Sequence, residues 1–172
     1  MTYLIYFILF IASIGVGFYL KTNYECHKRQ PTRNNIARAI QKFGTMILIP
    51  IDWQEDEVEA QLSRFLQLYF KEVSRQYTLS ISNGRGAKER VDIDVGNGRF
   101  GIEIKLARLL KKSNERNRLL GQIDLYQTRR YAPENLLVLI VGESSTAEAD
   151  YMIELRRIIE NKGANFMYLP TR

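Results

Sequence analysis

The stretch from Glu89 to Leu106, ERVDIDVGNGRFGIEIKL, constrains the fold more than any other part of the chain. Val91, Ile93 and Val95 alternate with Asp92 and Asp94, and Ile102, Ile104 and Leu106 alternate with Glu103 and Lys105. Successive side chains of a strand point to opposite faces, so each run has one apolar and one polar side. Asn97-Gly98 between them accepts the positive φ angles of a tight hairpin turn. With those two as the turn, the numbers of facing residues sum to 195. Asp92 then lies opposite Glu103, Asp94 opposite Gly101, and Arg90 opposite Lys105. One face carries Asp92, Asp94, Glu103 and Lys105; the other buries Val91, Ile93, Val95, Ile102, Ile104 and Leu106. A slip of two residues keeps the acids together, whereas a slip of one turns a strand over.

The flanking sequence predicts an α/β fold. Ile36 to Ile51 mixes a short helical pattern with the apolar run Met46 to Ile49, ended by Pro50. Trp53 to about Gln76 reads as an amphipathic helix with Asp52 as N-cap, its stripe formed by Val58, Leu62, Phe65, Leu66, Tyr69 and Val73. Glu55 and Glu59 project on or beside that stripe, and Glu57 nearly opposite. Tyr77 to Ser82 suggests a strand and Asn83-Gly84-Arg85-Gly86 a turn. After the hairpin come a basic helical segment from Ala107 to about Arg130 and the continuous apolar strand Leu136 to Val141. A helix from Ala147 to Asn161 and a last strand, Phe166 to Leu169, follow. A hairpin feeding a partly parallel, mixed sheet results.

Composition narrows the chemistry. Of 172 residues one is Cys and one is His, the adjacent Cys26 and His27. An intrachain disulfide, a Cys/His zinc site and a His-based triad are thereby excluded within the domain. Hydrolysis would have to run on carboxylates and lysine, with or without a metal ion. The net charge of +6 favours a polyanionic partner.

Charge is unevenly placed: no Asp, Glu, Lys or Arg occurs before residue 21. Tyr3 to Leu20, YLIYFILFIASIGVGFYL, is 18 residues long. As a helix it spans roughly 27 Å, close to a bilayer's hydrocarbon core. A cleaved signal peptide would want a basic start, absent from Met-Thr-Tyr, and a small-x-small cleavage site, for which Tyr19-Leu20-Lys21 is poor. Residues 1–20 therefore read as a transmembrane anchor. Lys21, Lys28, Arg29 and Arg33 follow it, which by the positive-inside tendency puts the C-terminal domain in the cytoplasm. Residues 21–35 read as a basic juxtamembrane linker, and 36–172 as the domain.

Asp92 and Glu103 on adjacent strands repel unless something positive lies between them. Lys105 offsets part of that and a divalent cation offsets more. Mg2+ takes oxygen ligands, typically one or two carboxylates with water and substrate phosphate. A carboxylate from the preceding helix, Glu55 or Glu59, could complete the set. The competing explanation is an ordinary solvated strand face with salt bridges. Beyond Lys105, the cations Arg108, Lys111, Lys112, Arg116 and Arg118 would suit a phosphate backbone, or simply a solvated helix face.

The ordered set resembles the PD-(D/E)xK nuclease superfamily. It comprises Glu55 or Glu59 on a helix, Asp92 in Arg-Val-Asp-Ile, Glu103-Ile-Lys105, and Gln122-Ile-Asp-Leu-Tyr126 on the next helix. The likeness covers residues 53–142, and the pattern is most similar to the branch with Holliday-junction resolvases and methylation-dependent restriction enzymes. No Pro precedes the Asp, and the hairpin leaves no room for inserted recognition elements. The resemblance implies an αβββαβ restriction-endonuclease-like core with Asp92, Glu103 and Glu59 as ligands of Mg2+ or Mn2+. Glu59 is preferred over Glu55 because it lies deeper along the stripe. It further implies that Lys105 orients water or stabilises the transition state, and that Gln122 and Tyr126 shape the site. The expected activity is hydrolysis of DNA phosphodiesters by a membrane-anchored enzyme, in defence or DNA processing, with a homodimer compatible. The alternative is a non-catalytic nucleic-acid-binding or membrane scaffold module that keeps the fold.

Overall fold

A computed structural model describes residues 28–79 and 90–172. The expected anchor at residues 1–20, residues 21–27 of the linker and the 83–86 turn lie outside the described residues. Among the described residues no helix is long and apolar enough to cross a membrane. The protein is α/β, built on a five-stranded mixed sheet.

Helix α1, Arg33–Met46, is capped by Thr32, whose hydroxyl accepts the Asn35 N–H at 3.4 Å. The helix thus claims the last three residues of the expected linker. Ile36, Ala39, Ile40 and Phe43 recur at helical spacing and form its buried face. Helix α2 spans Glu55–Gln67. Its N-cap is Gln54 and not Asp52: the Gln54 N–H donates to Glu57 Oε2 at 2.7 Å in a capping box.

The expected extension of α2 to Gln76 is wrong. The helix stops at Gln67, the chain turns over with Glu72 at φ 56°, and Val73–Thr78 forms strand β1. Val73 continues the helical stripe by spacing alone; in the fold it faces Val95 across the sheet. Pairing with a neighbouring strand overrides local periodicity here.

Strands β2, Arg90–Val95, and β3, Phe100–Leu106, make the expected hairpin, pairing Ile93 with Ile102, Asp94 with Gly101 and Val95 with Phe100. Asn97 and Gly98 take positive φ as the turn requires. β1, β2 and β3 are antiparallel; β4, Leu136–Gly142, and β5, Asn165–Pro170, add parallel to β3. The expected basic helix is broken into a 3-10 turn, Leu109–Lys111, and helix α3, Ser113–Arg129. The helix expected from Ala147 is likewise two pieces, α4 at Ser144–Ala147 and α5 at Asp150–Asn161.

Both faces of the sheet are covered. α1 and α2 pack on Ile93, Val95, Ile102, Ile104, Leu106, Leu137, Leu139 and Val141. α3 and α5 pack on Leu136, Val138 and Ile140 together with Val91. Val91 therefore does not share a face with Ile93 and Val95, as regular alternation predicts. β2 turns over between them, at Asp92.

Candidate active site

At Asp92 the sheet opens. The β1–β2 ladder steps from Arg75–Ile93 to Tyr77–Val91, leaving Gln76 at φ 49° opposite Asp92. The β2–β3 pairs end at Ile93–Ile102. In place of a main-chain partner, the Ile104 N–H donates to Asp92 Oδ2 at 2.7 Å. The parted strands leave room for side chains between them, and that space holds the group predicted from the hairpin.

Glu103 is 1 % exposed and Lys105 7 % exposed, depths at which charges persist only in company. Lys105 Nζ donates to Glu103 Oε1 at 2.9 Å, to the Ile104 carbonyl at 3.0 Å and to Glu55 Oε2 at 3.4 Å. All three of its protons are engaged. Glu55 reaches in from the first turn of α2, and its Oε1 accepts the Leu106 N–H at 3.2 Å.

Glu59 is one turn further along α2 and fully buried, but its oxygens face elsewhere. Arg75 Nε donates to Oε1 at 2.8 Å and Gln76 Nε2 to Oε2 at 3.4 Å. The helix acid that touches Lys105 is thus Glu55, not the preferred Glu59. Depth along the apolar stripe favoured Glu59 in the sequence, but depth brings it under β1, where Arg75 neutralises it. Neither Arg75 nor Gln76 carried a signal, because both fell in the supposed tail of the helix.

Tyr126 and Gln122 come to the same place from α3. The Tyr126 hydroxyl donates to the Arg90 carbonyl at 2.6 Å and accepts from Gln122 Nε2 at 3.3 Å. It also lies against Glu103, and burial followed by the Glu103 and Asp92 charges raises its pKa. A hydroxyl has one proton, and Arg90 takes it. Glu103 Oε2 and Gln122 Oε1 are left buried without a hydrogen-bond partner. Such atoms are uncommon in folded proteins and costly.

The electrostatics follow from one ammonium serving several acids. Desolvation, and then the Glu103 charge, push Asp92 from 3.8 to about 8, against the pull of Lys105 and the Ile104 amide. Burial raises Glu103 as well. Burial alone would lower Lys105, but Glu103, Asp92 and Glu55 together hold it above its ordinary value. The same neighbours thus favour the charged form of Lys105, while burial favours the protonated form of Asp92.

The chain matches no model of a known protein family, no curated protein and no solved structure.

Three other expected positions take different work. Asp94 is not part of the group. Both its oxygens accept the Gly98 N–H at 2.9 Å, and Oδ1 also accepts the Tyr131 hydroxyl at 2.8 Å, so it fastens the turn. Arg108 binds the carbonyls of Ile51 and Trp53 at 2.7 and 2.9 Å, tying the α1–α2 connection to the end of β3. Arg116 binds the carbonyls of Leu110 and Lys111 at 2.8 and 2.9 Å and lies over the Tyr151 ring. Lys111, Lys112 and Arg118 remain exposed, Arg118 with only a 3.7 Å contact to Glu115.

The donors suit a hard divalent cation, since they are carboxylate oxygens with one of them orphaned. Among the described residues no three His, Cys, Asp or Glu side chains stand together as a ready cage. Lys105 occupies the middle of the acids, and Glu59 is committed to Arg75. What remains is a carboxylate pair beside a lysine, which is enough for Mg2+ or Mn2+ sharing its shell with water and phosphate.

Proposed function

We propose that this protein is a metal-dependent nuclease of the PD-(D/E)xK type, with an αβββαβ core at residues 53–142, acting on DNA. The observation that carries the reading is the buried Lys105 held between Glu103 and Glu55, beside Asp92 and the orphaned Glu103 Oε2. A stable core has no use for that arrangement, in which one carboxylate oxygen is unpaired and burial disfavours the charge on a second carboxyl.

Asp92 and Glu103 would hold the cation, with Glu55 the nearest third acid. When bound, Mg2+ or Mn2+ supplies a Lewis acid for a phosphoryl oxygen and lowers the pKa of water. As a ligand Asp92 would be deprotonated. Lys105, kept charged by its neighbours, has the wrong protonation state for a base. It serves instead to stabilise negative charge developing on the phosphoryl group. Its 3.4 Å contact to Glu55 is the longest of its three and the one open to exchange for a phosphate oxygen. Gln122 Oε1, on the side chain that bonds Tyr126, is a second buried acceptor without a partner.

Membrane attachment through residues 1–20 belongs to the same proposal, supported by the uncharged run and the cations after it. Release of the intact protein from membranes by carbonate would remove that part of it. For the chemistry, the purified protein is incubated with linear, circular and single-stranded DNA, with Mg2+ and with EDTA. Cleavage is expected with Mg2+ alone and is lost in folded Asp92→Asn, Glu103→Gln and Lys105→Ala. If Asp92→Asn and Lys105→Ala cut as fast as the parent, the reading is wrong and a non-catalytic nucleic-acid-binding module takes its place.

A further inference from the structure

Where β2 turns into β3, three stretches distant in sequence close around a cleft of about 320 Å3. Its walls carry Lys28, Arg29, Lys71 and Arg99 against a single acid, Glu72. The cleft is built by the backbone. The Arg29 N–H donates to the Tyr69 carbonyl at 2.8 Å, and the Gly96 N–H to the Glu72 carbonyl at 2.9 Å. Arg99 Nη1 donates to Gln30 Oε1 at 3.0 Å, fixing the 28–31 segment against the hairpin turn. A phosphate group fits such a volume, and cations lining a held backbone are the chemistry that recognises one.

Two observations say which phosphate. Residues 21–27 are all that separate the apolar run ending at Leu20 from Lys28, a covalent reach of at most about 30 Å. The wall of the cleft is thus the stretch of chain that leads away from the proposed anchor. The cleft also lies at the Phe100 end of β3, whereas Glu55 meets the Leu106 end, roughly 20 Å along the strand. The cleft therefore takes no part in the chemistry at the acid group.

We propose that the cleft takes the phosphate of an anionic lipid headgroup, seating the hairpin end on the bilayer and turning the acid site away from it. This rests on the membrane attachment proposed above. The test uses the full chain in vesicles of phosphatidylcholine, alone or mixed with phosphatidylglycerol, and reads flotation and hydrogen exchange of residues 71–73 and 96–99. Slower exchange in the anionic vesicles is expected. Lys71→Glu or Arg29→Glu should each remove fivefold or more of that protection, roughly fivefold being the share of one cation at an anionic surface. Thermal melts check folding, and Lys71→Gln replaces the charge reversal if that lowers the melt. Flotation with both vesicles but equal exchange overturns this inference alone. Failure to float with either overturns the membrane reading and this inference with it. Protection in neutral vesicles by inorganic phosphate, or by duplex DNA, overturns the lipid assignment in favour of that ligand.

Discussion

Because Asp92 is drawn up to about 8, it makes stability fall as pH rises. Below its ordinary value of 3.8 the group is protonated whether or not the chain is folded. Between there and about 8 the unfolded chain releases the proton and the folded chain keeps it, at a cost of up to roughly 1.4 kcal/mol per pH unit. Asp92→Asn removes that term, and its amide oxygen still accepts the Ile104 N–H. The variant should be more stable than the parent at pH 8, with a flatter profile across the window in chemical denaturation. Glu103 is raised in the same direction, so it adds to the slope in parent and variant alike. Equal slopes in parent and variant would mean that Asp92 is ionised in the fold. The ion pair beside it gives a second expectation. Lys105→Ala strips Glu103 of its counter-ion and should cost about 3–5 kcal/mol. Glu103→Gln with Lys105→Met removes both charges at similar volume and should recover most of that loss in urea unfolding, without restoring cleavage.

At the scale of elements, the hairpin was legible because turn and register obey short-range rules: Asn97-Gly98 and period-two alternation. The expected pairing of Asp94 with Gly101 is the pairing found. What fills the place of a side chain at Gly101 was not legible. The Tyr131 ring lies where a Cβ would point, 2.8 Å away, with its hydroxyl on Asp94. Gly101→Ala should therefore push Tyr131 off Asp94 and cost about 1–3 kcal/mol as overpacking. The melting temperature should drop by several degrees. An unchanged melt would show that the ring yields without loss. The end of α2 was illegible for a related reason. Val73 fits a helical stripe and a strand face equally well, and only its partner Val95 decides between them. Helix capping was misplaced by two residues, since Asp52 and Gln54 both precede acids, and the Glu57 side chain bonds only Gln54.

Across the whole molecule, a net charge of +6 favours polyanions but does not say where they bind. The fold divides the cations: Arg108 and Arg116 are spent on main-chain carbonyls, while Lys111 and Lys112 stay exposed just beyond β3. Lys111→Ala with Lys112→Ala should weaken all DNA sequences about equally. The slope of log K against log salt should become shallower by roughly 0.9 for each phosphate that is no longer neutralised. An unchanged slope would take these lysines out of the interface. The sequence by itself determined the α/β class, the hairpin, the strand covered on both faces, and the spacing that carries Asp92, Glu103 and Lys105 on neighbouring strands. Those follow from periodicity, turn chemistry and alternation, each readable within a few residues. The tertiary structure alone decided that β2 turns over at Asp92, that Arg75 claims Glu59 and leaves Glu55 to Lys105, and that Glu103 keeps an unpartnered oxygen. Such outcomes depend on which charges meet across elements far apart in the chain, and on how deeply packing buries them.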